Sequence, residues 1–159
     1  MAEIRVDVRK VLHAPSGVVY RCLADFTYAH PRLLPHTVRD YDVAAGGFGE
    51  GTIVACVAQV RGHEHHFSFR VSEPIAGKVL TIYDHDARFT ITWHLRDEGE
   101  TTTVSVEAEW IDDHPPIGLV GAWWAQLWLR RDLQHMLDRL PEVIADRQFE
   151  LPDPPPAPE

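Results

Sequence analysis

Ile117-Gly-Leu-Val-Gly-Ala-Trp-Trp-Ala-Gln-Leu-Trp-Leu-Arg-Arg-Asp-Leu-Gln-His-Met-Leu-Asp-Arg-Leu-Pro-Glu-Val-Ile144 is the stretch that decides the fold. Trp123, Trp124, Trp128, Leu133, Leu137, Leu140 and Ile144 recur in it at helical spacing, which predicts one long helix. Everything from about residue 38 to residue 111 reads instead as successive strands with no helix between them. A sheet that is apolar on one face needs a cover, and this helix is the one element long enough to supply it. The order predicts an α+β fold, with seven antiparallel strands wrapped around a long C-terminal helix. A single helix laid across a curved sheet leaves space between the two, so the same order predicts a ligand-holding cup.

Upstream, Ile4, Val6 and Val8 alternate with Arg5, Asp7 and Arg9, the period of a half-buried strand. Ala14-Pro15 breaks it, and Ser16 is the expected N-cap of a short helix through about Ala24. Pro31 and Pro35 interrupt the next segment, so a second short helix or turn is expected over 28–34. Further strands are expected at about 38–43, 52–60, 63–71, 79–83, 88–96 and 104–110. Turns separate them at Gly46-Gly47-Phe48-Gly49-Glu50-Gly51, at Arg61-Gly62, at 74–77 and at Asp97-Glu98-Gly99-Glu100. His114-Pro115-Pro116 stops the sheet, and Pro141 is expected to kink or restart the last helix. Residues 1–148 form one domain on this reading, and 149–159 form an extended Pro-rich tail.

The 159 residues suffice for one domain with a core and a cavity. Fifteen basic against twenty-four acidic side chains give a formal charge of -9 without a basic run, which argues against nucleic acid. No run of about 18 apolar residues is present, so no integral membrane association is expected. The first residues lack signal-peptide features, and Cys22 and Cys56 form no CxxC, so a reduced, cytoplasmic setting is expected. Gly-x-Ser-x-Gly, P-loop and dinucleotide motifs are missing. His63 and His65 share a strand face with His66 across from them, but no second cluster stands at ligand spacing. No metal and no cofactor are expected.

His13-Ala-Pro-Ser-Gly-Val-Val-Tyr20, entered from an opening strand, resembles the signature at the first helix of the START-like, polyketide cyclase/dehydrase and lipid-transport superfamily (SRPBCC). Leu23-Ala-Asp-Phe26, followed by an aromatic residue and a Pro-containing turn, is similar to a second stretch of that family. Gly49-Glu-Gly-Thr52 and Gly99-Glu-Thr-Thr-Thr103 sit where its members carry turn glycines. The resemblance covers roughly residues 4–147. It implies a helix-grip fold whose cavity takes lipids, hormones, polyketides or other apolar molecules, in binders and enzymes alike.

Aromatic-ring polyketide cyclases of that superfamily carry a Ser-x-Arg pair in the cavity, and Ser68-Phe-Arg70 is similar to it. The resemblance implies that Arg70, with Ser68 beside it, stabilises an enolate. Alternation along the strand leaves two readings open. Either Ser68 and Arg70 face the cavity, or His63, His65, Phe67, Phe69 and Val71 do and Arg70 lies in water. Tyr28 and His30, with His36, lie in the irregular segment expected at the rim and are further catalytic candidates. Tyr83, Asp84, Trp93, Trp110, Trp123, Leu127 and Arg130 are the ligand-binding candidates. A buried Arg130 needs a partner such as Asp84 or an acidic ligand; otherwise it snorkels to the rim. A second apolar side of the helix, Val120, Trp124 and Trp128, offers a surface for a homodimer, a membrane surface or a hydrophobic carrier.

The expected function is binding of a hydrophobic or polycyclic small molecule in an internal cavity, with a polyketide cyclase or dehydratase as its enzymatic version. The alternative is a non-catalytic carrier, or an interaction module docking through the Trp-rich helix.

Overall fold

Strand-forming alternation dominates the first two thirds of the chain, and the computed structural model, which describes residues 2–60, 63–112 and 118–150, follows it. The order is β1 (Ala2–Leu12), α1 (Ser16–Ala24), a single 3-10 turn (His30–Leu33), β2 (Val38–Ala45), β3 (Ile53–Val60), β4 (His63–Ile75), β5 (Val79–Asp84), β6 (Phe89–Asp97), β7 (Thr102–Asp112) and α2 (Gly118–Glu150). All strand pairs are antiparallel, in the order β1-β7-β6-β5-β4-β3-β2. This is the expected seven-stranded helix-grip arrangement. The Arg61-Gly62 turn, the His114-Pro115-Pro116 stop, Ile117 and the tail 151–159 lie outside the described residues, as do the side chains of His63 and Val120.

Three local expectations change. Pro15, not Ser16, occupies the N-cap of α1, and no side chain caps that end. β4 runs through Pro74 to Ile75, because a register shift between Ser72 and Ile75 absorbs the missing N–H. α2 continues through Pro141 without a restart. Its neighbours Leu137, Leu140, Val143 and Ile144 are buried on both sides of the proline and hold the turn in place despite the lost hydrogen bond.

The core sits between the sheet and the C-terminal half of α2. Val6 of β1, Leu80 of β5, Trp93 of β6 and Val104 and Val106 of β7 meet Leu133, Leu137 and Leu140, all with almost no exposed surface. Each such leucine stabilises the fold by roughly 1.5–3 kcal/mol through burial alone. The N-terminal half of α2 is different, since Trp123, Trp124 and Leu127 are exposed. The packing therefore closes at one end of the helix and opens toward the other.

The loop between β2 and β3 clamps the end of α1. Phe26 N–H donates to Gly47 O and Gly49 N–H to Ala24 O, both at 2.9 Å. Gly49 has φ of 63°, and a Cβ there would run into the Glu73 carboxylate. These contacts fix where the chain leaves α1, and so where Phe26 and His30 point.

Candidate functional site

Just past α1, the Asp25 carboxylate accepts the backbone N–H groups of Thr27 and Tyr28, each at 3.1 Å. Such a turn is what an aspartate followed by a tight reversal produces. The His30 N–H then donates to Asp25 O at 2.8 Å. The reversal turns Phe26 and His30 inward and leaves Tyr28 outside, 76% exposed. The His30 ring stacks on Phe26 with centroids 4.6 Å apart and stands edge-on to Trp93 at 6.2 Å.

The imidazole has a defined state. Its Nδ1 lies 2.8 Å from Leu23 O, and a carbonyl can only accept, so Nδ1 carries the hydrogen and Nε2 is the acceptor. Burial pushes the pKa down to about 4, against the opposing pull of the Leu23 carbonyl and Asp25.

Phe26 and His30 form one end of an apolar cavity of about 130 Å³. Phe67 and Phe69 of β4, Phe89 and Trp93 of β6 and Trp110 of β7 line its sheet side. Phe67 lies 5.1 Å from Phe69 and 5.6 Å from Phe89, and Phe89 lies 5.7 Å from Trp110, centroid to centroid. Ala125, Trp128, Leu129, Asp132, Leu133 and Met136 of α2 cover it. At roughly 10–15 Å³ of cavity per water-sized group, the space takes about ten non-hydrogen atoms.

The polar groups in this wall are few. The Tyr41 hydroxyl donates to Phe26 O, and burial raises its pKa. Burial also pushes the Cys56 thiol up to about 11, with Asp84 adding to the effect. The Asp132 carboxyl is held above its usual value by burial, against the opposing charges of His135, Arg131 and His36. Trp93 is fully buried, and its indole N–H has no hydrogen-bond partner among the described residues. Among the described lining residues none is Lys or Arg. Such a wall presents ring faces to an apolar molecule and offers an anion no counter-charge from its described residues.

The sequence candidates divide between two places. His30, Trp93 and Trp110 line the cavity. Ser68, Arg70, Tyr83 and Asp84 come together elsewhere, in an open groove with His66 and the 85–87 turn. Phe67 and Phe69 take the cavity side of β4, and alternation sends Ser68 and Arg70 to the other face. Asp84 accepts from Ser68 N–H at 2.8 Å and Ala87 N–H at 3.0 Å, which makes it a turn anchor.

Trp123, Leu127 and Arg130 lie on the exposed side of α2, and Arg130 donates to Asp7 O of β1 at 3.2 Å. Trp123 and Trp124 pack edge to face at 5.3 Å, both about half exposed. The cavity face of α2 runs instead through Trp128, Asp132 and Met136 at four-residue steps. Sequence reasoning missed Asp132, Tyr41 and Cys56 as lining groups; the four-residue spacing from Trp128 was the available signal for the first. Among the described residues, no group of three or more His, Cys, Asp or Glu side chains is placed to hold a metal ion. No helix among them is long and apolar enough to cross a membrane.

Residues 3–145 match the sequence profile of a family described as polyketide cyclase / dehydrase and lipid transport. Three solved structures share the fold. The solution structure of KanY has a TM-score of 0.78 at 21% identity, covering 91% of this chain and 99% of that one. The crystal structure of a Thermus thermophilus protein has 0.73 at 22%, covering 92% and 99%. A START superfamily protein from Mycobacterium smegmatis has 0.70 at 14%, covering 90% and 98%. At such identities the likeness establishes the shared fold. No functionally curated protein matches the chain in sequence.

Proposed function

We propose that this chain, which belongs to the polyketide cyclase / dehydrase and lipid transport family, binds one compact, neutral aromatic molecule in its cavity and carries it unchanged. Family membership supports hydrophobic-ligand binding in general. The observation that carries the narrower reading is the wall itself, nine aromatic or imidazole side chains with no Lys or Arg among its described residues. Burial shifts its titratable groups in the direction of their neutral forms. His30 is pushed down to about 4, the Cys56 thiol up to about 11, and Tyr41 and Asp132 are raised by burial. General acid–base catalysis near neutrality needs groups that change protonation there. A cyclase or dehydratase that used Ser68 and Arg70 would need them in the cavity, and they stand in the groove on the other face of the sheet.

Size narrows the ligand further. A cavity of about 130 Å³ is close to the roughly 150 Å³ of an apolar cavity that stays dry and takes up benzene. At about ten non-hydrogen atoms, the space matches a molecule of one or two rings and is exceeded by an extended acyl chain. Trp93, Trp110 and Trp128 line the wall, so ligand entry is read as a change in tryptophan emission. Titration with β-methylnaphthalene is expected to saturate at one molecule per chain, and palmitate is expected to give no saturable change. Tighter binding of palmitate, or no binding of any two-ring probe, would overturn the reading.

A further inference from the structure

The N-terminal part of α2 carries an apolar surface that no described element covers. Trp123, Trp124 and Leu127 are 56%, 52% and 43% exposed, and the two indole rings pack edge to face at 5.3 Å. Trp123 and Leu127 lead on to Arg130, and Trp124 and Leu127 to Arg131, at steps of three or four residues, so all five share one side of the helix. The cavity lies under the opposite side, which runs through Ala125, Trp128, Asp132 and Met136. Residues 117–129 hold no charge, and the first two charges after them are positive, in a chain whose formal charge is -9. Arg130 donates to Asp7 O at 3.2 Å, and Arg131 acts on Asp132 as a nearby charge. Neither guanidinium forms an ion pair among the described residues.

We propose that this face docks on an anionic lipid bilayer, with Trp123, Trp124 and Leu127 in the headgroup boundary and Arg130 and Arg131 against lipid phosphates. The contact is peripheral, since no helix among the described residues is long and apolar enough to cross. Indole rings suit that boundary because an apolar body is joined to one polar N–H. Arginines beside an apolar face add attraction to anionic headgroups. Elsewhere the excess of acidic side chains repels such a surface, so approach favours the arginine-flanked face.

Area separates a bilayer from a protein partner. At roughly 150–250 Å² for a whole aromatic ring system, the exposed parts of these three side chains amount to on the order of 300 Å². A stable protein–protein contact takes about 800 Å² from each partner. A bilayer sets no such threshold, because binding grows with whatever apolar area enters it. A second copy of the chain fits less well for another reason. Two such faces in contact would gather four guanidiniums around one small apolar centre, and like charges oppose that.

The test is co-sedimentation of the full chain with vesicles of phosphatidylcholine and with vesicles of equal parts phosphatidylcholine and phosphatidylglycerol. The wild type is expected to bind the mixed vesicles about tenfold more tightly, and to lose that advantage in high salt. Trp123→Ser combined with Trp124→Ser is expected to weaken binding to both vesicles tenfold or more. Arg130→Met and Arg131→Met are each expected to weaken binding about fivefold on the mixed vesicles and to change nothing on phosphatidylcholine. All four side chains are exposed, so the variants are expected to unfold at the wild-type temperature.

Failure of the wild type to bind the mixed vesicles would overturn the proposal, and equal binding to both vesicles would overturn its anionic part. A wild-type dimer in sedimentation velocity that the double tryptophan variant loses would also overturn it, by assigning the face to a second copy. The reading of the cavity stands apart from each of these outcomes, because the cavity lies under the other side of α2.

Discussion

Nδ1 of His30 donates to the carbonyl oxygen of Leu23 at 2.8 Å, and this bond fixes the tautomer of the imidazole that lines the cavity. Leu23 belongs to α1 and is itself fully buried. The ring is thus tied to a buried helix residue and presents its lone pair away from that bond.

A stability prediction comes from the same ring. Burial lowers its pKa from 6.5 to about 4, so the unfolded chain binds a proton between those values while the folded chain does not. Stability from this group is complete above about pH 6.5 and is lost as pH falls toward 4, on the order of 3 kcal/mol in all. His30→Phe keeps a ring against Phe26 and removes the titration. Urea midpoints at pH 7 and pH 4 are expected to fall further for the wild type than for the variant. Parallel losses in the two proteins would show that His30 titrates normally.

Gly49 tests the clamp that positions the site. Its φ of 63° costs a non-glycine residue roughly 1–2 kcal/mol. The new Cβ would also displace the Glu73 carboxylate, which accepts Glu50 N–H at 2.8 Å. Gly51 has φ of 90° with nothing near an added Cβ, so Gly51→Ala suffers backbone strain alone. Gly49→Ala is expected to lose about 1 kcal/mol more than Gly51→Ala in denaturant unfolding, the typical worth of one displaced hydrogen bond. Equal losses would mean that Glu73 moves freely and that the clamp does not depend on it.

The charged candidates outside the cavity make a third prediction. Arg70 and Ser68 line the open groove, and Arg130 donates to Asp7 O on an exposed side of α2. Arg70→Met, Ser68→Ala and Arg130→Met are each expected to leave β-methylnaphthalene affinity within about twofold and stability within about 0.5 kcal/mol. Calorimetric titration reads the first and thermal unfolding the second. A tenfold loss of affinity in any of the three would bring that side chain into the ligand's surroundings.

The sheet is legible in the sequence because the strand period is two and admits little ambiguity. Phe89, Trp93 and Leu95 alternate with polar residues, and they are the buried ones. In β4 the pattern yields two faces without choosing between them. The choice falls to hydrophobic burial, since Phe67 and Phe69 join Phe89 in one ring cluster. The phase of α2 is not legible. Its N-terminal part is apolar nearly all round, so Trp123 and Leu127 compete with Ala125, Trp128 and Leu129 on equal terms. Arg130 and Asp132 are two residues apart, about 200° around the helix, so the choice of face decides which of them meets the cavity. The pattern puts His30 at the rim; its burial depends on the Asp25 turn, whose two backbone hydrogen bonds no periodicity announces.

Asp132 supplies the last prediction. Its carboxyl lines the cavity and is raised above its ordinary value by burial, while His135, Arg131 and His36 pull the other way. A raised acid is stabilising only below its unfolded pKa, and that contribution is lost as pH rises through the folded value. At neutral pH the ionised group is therefore a net cost to folding and a repulsive wall for anions. Asp132→Asn keeps the shape and removes the charge. Stability at pH 7 is expected to stay equal or rise, with the difference from wild type vanishing in acid. β-Naphthoate, excluded by the wild type, is expected to bind the variant measurably, while β-methylnaphthalene affinity changes little. If the variant were less stable at pH 7 and still refused β-naphthoate, Asp132 would be a paired structural group. Exclusion of anions would then rest on the carbon wall alone.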